Sequence, residues 1–174
     1  MKKNKPELYL AIFVVAVIVS TAFLYFQTQE KTDYGIFPEK LDDMNIVLYR
    51  EGEVAISEVG NLHGGSVVPE NAYIALYRSN GGNTAKFWVS ESRSSEQAES
   101  QVAAMNAIVG KTGMFSESTP MTIGGVRVYF VTGQPQLGLY HYFYSSDRRV
   151  FWIQVDNPDK AYRESFVKEA INRI

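Results

Sequence analysis

His63 and His141 are the only histidines in the chain, and they bound the chemistry it could perform. Meeting in space with a methionine or carboxylate they could hold a metal or haem, and either could serve a serine nucleophile as a base. His63 lies in Gly60-Asn61-Leu62-His63-Gly64-Gly65-Ser66. In esterases a His-Gly-Gly run exposes backbone N–H groups to a developing oxyanion. That chemistry needs a Gly-x-Ser-x-Gly elbow, and the chain has none. The plainer reading is a loop between two strands, with glycines for tight geometry. His141, between Tyr140 and Tyr142, reads as a satisfied side chain in mid-strand.

Oxygen ligands for a hard cation gather at Asp156-Asn157-Pro158-Asp159, but without the twelve-residue frame of an EF-hand loop. Helix capping at Asp156 or Asn157, with Pro158 at the first helical position, accounts for them. Asp42-Asp43 reads as a solvated turn. Glu53, Glu58, Glu91, Glu96 and Glu99 could include an acid/base pair for glycoside hydrolysis, which depends on a separation in space. Cysteine is absent, which excludes disulfides, thiolate chemistry, Cys-ligated zinc, iron–sulfur clusters and lipid attachment at cysteine. No cofactor is expected. Tyr140, Tyr142 and Tyr144, with Trp152 and Trp88 nearby in the sheet pattern, form either an aromatic binding surface or core beneath helices.

These side chains need strands and helices to hold them. Asn45–Tyr49, Glu53–Val59, Ala72–Tyr77 and Ala85–Val89 read as four strands, the last two joined across Asn80-Gly81-Gly82-Asn83. Ser94 and Gln97 form a capping box that opens a helix with Ala98, Val102, Met105 and Val109 on one stripe and Gly110 as its stop. Three more strands follow, Ile123–Thr132, Leu137–Ser145 and Arg149–Asp156. Pro158 then opens a final helix, with Tyr162, Phe166 and Ala170 along one edge and Val167, Ile171 and Ile174 along the adjoining one. The expectation is an α+β domain: an antiparallel sheet of about six to seven strands with helices packed on it.

Leu8–Phe26 carries no charge over nineteen residues, about 28 Å as a helix, enough to cross a bilayer core. Leu8, Phe13, Val17, Phe23 and Phe26 would belong to the membrane anchor, Tyr9 and Tyr25 lie near the interfaces, and Lys2, Lys3 and Lys5 precede the span, placing the N-terminus inside. A cleaved signal peptide is the competing reading, but the apolar run continues past Ser20-Thr21-Ala22 into bulky residues. The organisation expected is thus a cytoplasmic tail at 1–7, an anchor at 8–26, a linker at 27–35 and an extracytoplasmic domain at 36–174. The formal net charge is −2. Three lysines against two glutamates in the first thirty residues leave the remainder at −3, which offers no basic stripe to nucleic acid.

The order of elements resembles the PsbP/Mog1-like α/β/α fold over about residues 36–174. The features that carry it are the Ser-capped, alanine-rich helix, Ile-Gly-Gly-Val-Arg-Val-Tyr at 123–129, the aromatic strand Tyr140–Tyr144, the strand Val150–Val155, and Ser165-Phe166-Val167 in the closing helix. That resemblance implies partner binding without catalysis and supplies no site residues. The expected function is a membrane-anchored binding or assembly module, accessory to a membrane complex, whose partners are the bilayer and another membrane or extracytoplasmic protein. The alternatives are a small hydrolase using a Ser/His pair and a metal- or haem-binding domain.

Overall fold

The computed structural model describes residues 33–62 and 68–174, and the unit Tyr34–Ile174 is an α+β fold. Its strands are β1 (Lys40–Leu41), β2 (Met44–Glu51), β3 (Asn71–Ser79), β4 (Thr84–Glu91), β5 (Thr119–Ile123), β6 (Val126–Thr132), β7 (Tyr140–Ser146) and β8 (Arg149–Asp156). Its helices are α1 (Glu53–Leu62), α2 (Ser95–Ile108) and α3 (Lys160–Arg173). The eight strands make one antiparallel sheet in the order β1-β2-β3-β4-β8-β7-β6-β5. Two four-strand meanders therefore meet at β4 and β8, which pair without a break from Thr84↔Asp156 to Glu91↔Arg149.

Side chains alternate across a strand, and this alternation sorts the core into two faces. Tyr73, Ala75 and Tyr77 of β3, Phe87 and Val89 of β4, Phe151 and Ile153 of β8, and Tyr142 and Tyr144 of β7 face α3 and bury Phe166, Val167 and Ala170. The intervening residues face the other way: Ala72 and Ile74 lie beneath Ala55 and Val59 of α1, and Phe143 and Val150 lie beneath Ala98 and Val102 of α2. The result is three layers with α1 and α2 side by side on one face. In β2 the register shifts between Ile46 and Leu48, and this bulge turns Ile46 toward α3 and Leu48 toward α1.

The sheet curls around α3. Arg173 donates from Nη1 to the Lys40 carbonyl of β1 at 3.0 Å, Tyr162 donates to Asp43 at 2.6 Å, and on the opposite flank Ile171 lies against the Gly124-Gly125 turn between β5 and β6. Edge-to-face contacts of Phe87 with Phe37 and Tyr77, at 5.4 and 5.5 Å, fill the space beneath. Arg163, only 5% exposed, ties α3 to β7. Its Nε donates to the Tyr142 hydroxyl at 3.1 Å, its Nη1 donates to the carbonyls of Asn157 and Pro158, and its guanidinium stacks 3.7 Å from the Tyr140 ring centroid. Carbonyl dipoles and the ring quadrupole thus stabilise a buried charge.

Several sequence expectations are corrected here. Glu53–Val59 forms a helix, α1, because β2 and β3 are neighbours and their outer face at Ala72 and Ile74 needs a cover. The i, i+4 pair Ala55 and Val59 provides it, while Val54 stays 61% exposed. Ile123–Thr132 is two strands broken by Gly124 and Gly125, both at positive φ (59° and 83°), so with the short β1 the sheet has eight strands rather than six or seven. The segment 137–139 is not part of β7; a 3₁₀ turn occupies Pro135–Leu137. The cap of α3 is Asp159, whose Oδ1 accepts the N–H of Ala161 at 2.8 Å, so neither Asp156, Asn157 nor Pro158 takes its expected place. Gly110 likewise does not stop α2. It lies in a 3₁₀ turn, Val109–Lys111, where a Cβ would approach the Glu117 Cα to 2.9 Å. Ser94 does cap α2, accepting from the Gln97 N–H at 3.2 Å, but Gln97 reaches back to the Arg93 N–H, one residue earlier than a capping box requires.

Two buried tyrosines give opposite expectations. The Tyr77 hydroxyl donates to the Pro38 carbonyl at 2.6 Å, whereas the Tyr144 hydroxyl has no hydrogen-bond partner among the described residues; burial pushes both phenols up. Tyr77→Phe should destabilise the domain by about 1 kcal/mol and Tyr144→Phe should be neutral or stabilising. Chemical denaturation of the two variants checks this ordering, which an equal loss in both would reverse.

Candidate functional site

β4 and β8 each carry the dipeptide Phe-Trp, Phe87-Trp88 and Phe151-Trp152. Alternation sends both phenylalanines into the α3 core and both tryptophans to the opposite face, where Trp88 and Trp152 are register partners. α1 covers β2 to β4 and α2 covers β7 and β8. The two indoles lie where these covers meet, and both remain partly exposed.

Each indole is fixed by a separate polar group. The Trp88 Nε1–H donates to Glu58 Oε1 on α1 at 3.3 Å; the same oxygen accepts from Lys86 Nζ at 3.1 Å, and Arg50 Nη1 donates to Glu58 Oε2 at 3.0 Å. Lys86 also sits 4.3 Å from the Trp88 ring centroid, within cation–π range. Partial burial pushes the Glu58 carboxyl up, but the Lys86 hydrogen bond and charge, the Trp88 N–H and the Arg50 charge together hold it below the ordinary glutamate value. Trp152 stacks on Phe143 at 5.1 Å and 7°, and Phe143 stacks on Tyr129 at 5.2 Å and 18°. Its Nε1–H donates to His141 Nδ1 at 2.9 Å, and Phe115 meets it edge-on at 5.3 Å.

His141 is 2% exposed. Because Nδ1 accepts from Trp152, the ring proton sits on Nε2, which donates to the Gly138 carbonyl at 2.9 Å. The fold thus uses the neutral tautomer at both nitrogens, and His141 has no lone pair available to a metal, a haem or a serine unless one of these bonds breaks. His63 lies outside the described residues, as do Gly64, Gly65 and Ser66 of its loop. Among the described residues no group of three or more His, Cys, Asp or Glu could hold a metal ion.

Tyr140, Tyr142, Tyr144 and Trp152, which the sequence left open as binding surface or core, divide between the two faces. Tyr142 and Tyr144 are each 1% exposed within the α3 core, so the surface reading is corrected for them. Tyr140 is half-buried against Arg163 on the same side, and Trp152 alone belongs to the face between α1 and α2. What the sequence reading missed was the pairing of Trp152 with Trp88, which the repeated Phe-Trp dipeptide signals. It also missed Phe115, Met114 and Leu139. Phe115 bridges to Gly133, and Leu139 accepts the Gly133 N–H while Met114 accepts the Gln134 N–H, so the exposed Met114 (48%) and Leu139 (40%) flank that bridge.

The carboxylates do not assemble an acid/base pair. Glu53 and Glu58 stand on α1, Glu96 and Glu99 on α2, and Glu91 at the end of β4, where it accepts from Arg148 at 3.0 Å and Tyr73 at 3.2 Å. Ser94 and its own backbone N–H hold the Glu96 carboxyl low, as suits a helix start. A polar cleft of about 160 Å³ adjoins Glu91, lined by Glu70, Ser92, Arg93, Gln97 and Gln101, and its carboxylates are already paired with arginines. Near Asp159 the oxygens are spent on capping, Asn157 Oδ1 accepting the Asp159 N–H at 2.7 Å. Asp43 accepts from Tyr162, and Asp42 holds a turn at φ 54°.

Two changes test how the indoles are held. Glu58→Gln should cost about 1 kcal/mol at neutral pH, the scale of a partly exposed ion-pair cluster. Since the folded state holds the Glu58 carboxyl low, that contribution is complete above about pH 4.3 and fades as the pH falls below it. Denaturation curves of wild type and variant should therefore converge in acid, and a gap independent of pH would refute the assignment. His141→Ala should cost about 2–4 kcal/mol by leaving the Trp152 N–H and Gly138 carbonyl unsatisfied around a cavity, read as a fall in melting temperature.

No protein-family model, curated protein or solved structure compared with the chain matches it.

Proposed function

We propose that the chain is a membrane-anchored, extracytoplasmic binding module that docks a membrane or extracytoplasmic protein on the Trp88–Trp152 face and catalyses no reaction. The observation that carries this reading is the pair of part-exposed indoles, each held in place by its own hydrogen bond. Rigid aromatic groups lose little entropy on association, and Trp is enriched where interfaces concentrate their binding energy. The exposed Met114 and Leu139, beside the Phe115–Gly133 bridge, are the apolar rim in this reading, and Lys86 with Gln154 its polar border. A hydrolase built on His141 is disfavoured, since both ring nitrogens are committed. The PsbP/Mog1-like likeness of the sequence belongs to the same reading, since it implies partner binding.

Residues 8–26 are the anchor in this account, with 1–7 inside and the domain outside. They lie outside the described residues; among those described, no helix is long and apolar enough to cross a membrane. A linker of about eight residues would keep the domain within about 15–25 Å of the bilayer, raising its effective concentration toward a partner in the same membrane. The resulting expectation concerns both halves of the chain. The full chain should stay with membranes through alkaline extraction and, cross-linked in mild detergent, should yield a stoichiometric partner. Met114→Glu with Leu139→Glu should weaken that capture at least tenfold, whereas Lys168→Glu, exposed on α3, should not. A mature N-terminus at Phe23 would overturn the anchor, and equal capture by all variants would overturn the docking face.

A further inference from the structure

We infer that His141 is an acid-sensitive latch on the docking face, holding Trp152 in its bound-ready position at neutral pH and releasing it on protonation. The inference rests on the reading of that face given above and adds its regulation. The geometry is specific. His141 Nδ1 is the acceptor of the Trp152 Nε1–H, and it is also the atom that must take a second ring proton, because Nε2 already donates to Gly138. Imidazolium is a donor at both nitrogens. Protonation therefore sets two N–H groups against each other across 2.9 Å and removes the hydrogen bond that holds the Trp152 indole. Nothing comparable happens at Trp88, whose acceptor is the Glu58 carboxylate, so one tryptophan of the pair responds and the other stays fixed.

The surroundings bear on how readily the proton enters. The segment after α2 presents the Phe115 ring edge at 5.1 Å. β6 presents Val131, the register partner of His141, and its continuation Gly133 comes close to Nε2. β8 presents Trp152 and the neutral Gln154, also in register with His141. The charged groups that the register puts on this face are Lys86, beyond Gln154 and paired to Glu58 of α1; Arg50 of β2, paired to the same Glu58; Arg78 of β3, in the row of Thr84 and Asp156; Arg127, four residues before Val131; and Asp156, two residues after Gln154 at the exposed end of β8. Among these described groups Asp156 would favour the imidazolium, from the exposed strand end, whereas the cations and the desolvation of a buried ring oppose it. The sign follows. The neutral ring is the form the fold uses, so the latch is closed at neutral pH and opens in acid.

NMR of the full chain in detergent micelles from pH 7.5 to 4.5 tests this directly. His63→Ala identifies the His141 ring signals, and Trp152→Phe identifies the Trp152 indole N–H. The Trp152 indole signal should move or broaden with the same midpoint as the His141 ring while the Trp88 signal stays still. In Trp152→Phe, which keeps the aromatic stack but lacks the N–H, the His141 midpoint should rise by about 0.5–1 pH unit, the equivalent of one hydrogen bond. His141→Gln should abolish the acid response of Trp152, and if that variant does not fold the Trp152→Phe arm decides alone. An unchanged midpoint in Trp152→Phe, or an indole signal indifferent to His141 protonation, would overturn the latch. These readouts need no partner, so a latch that works while Met114→Glu with Leu139→Glu leaves capture intact would refute the docking face and not the switch.

Discussion

The antiparallel junction of β4 with β8 is the constraint on which the rest of the domain depends. It joins the two meanders into one sheet with eight successive register pairs, and it sets two Phe-Trp dipeptides side by side in phase. Because side chains alternate with period two, a slip of one residue would send both phenylalanines to the α1/α2 face and both tryptophans into the α3 core. Phe87 could then no longer meet Phe37, Tyr77 and Phe166, the contacts that seat α3. The junction thus fixes the core on one face and the indoles on the other by a single choice of register.

From that choice the two faces acquire different characters. The α3 face is enclosed, because the sheet curls until both edges reach the closing helix and Arg163 neutralises its own burial with carbonyls and aromatic rings. The other face receives two separate covers, and where they meet the sheet keeps mixed chemistry: Lys86, Trp88, Trp152 and Gln154. Buried polar groups normally stabilise only when fully partnered, and here the partnering also holds the exposed aromatic groups still. Glu58 serves Trp88, Lys86 and Arg50 together, and His141 serves Trp152. A surface rigidified in this way gives a partner fixed shape rather than a flexible patch.

Much of the fold was legible in the sequence because local signals agreed with tertiary demands. Ser94 announced α2, Asn80-Gly81-Gly82-Asn83 announced the β3–β4 hairpin, and the alternation of Tyr140 to Tyr144 announced a strand covered on both faces. α1 was not legible, since Glu53–Val59 satisfies a strand pattern and a helix pattern alike and only the neighbouring sheet face selects the helix. The candidate site was half legible. Trp152 was named, but its grouping with Tyr142 and Tyr144 failed because its register partner on β7 is Phe143, which alternation points away from both tyrosines. The role of His141 lay wholly in its hydrogen bonds, Trp152 at one nitrogen and Gly138 at the other, which no spacing encodes.

If β4–β8 organises everything else, its amides should be the last to open. Native-state hydrogen exchange across a denaturant series measures this. The account predicts that β4 and β8 amides exchange slowest and only through global unfolding, with β1–β4 and β5–β8 sharing one opening event. Exchange of either meander through a sub-global opening that leaves the other protected would contradict it.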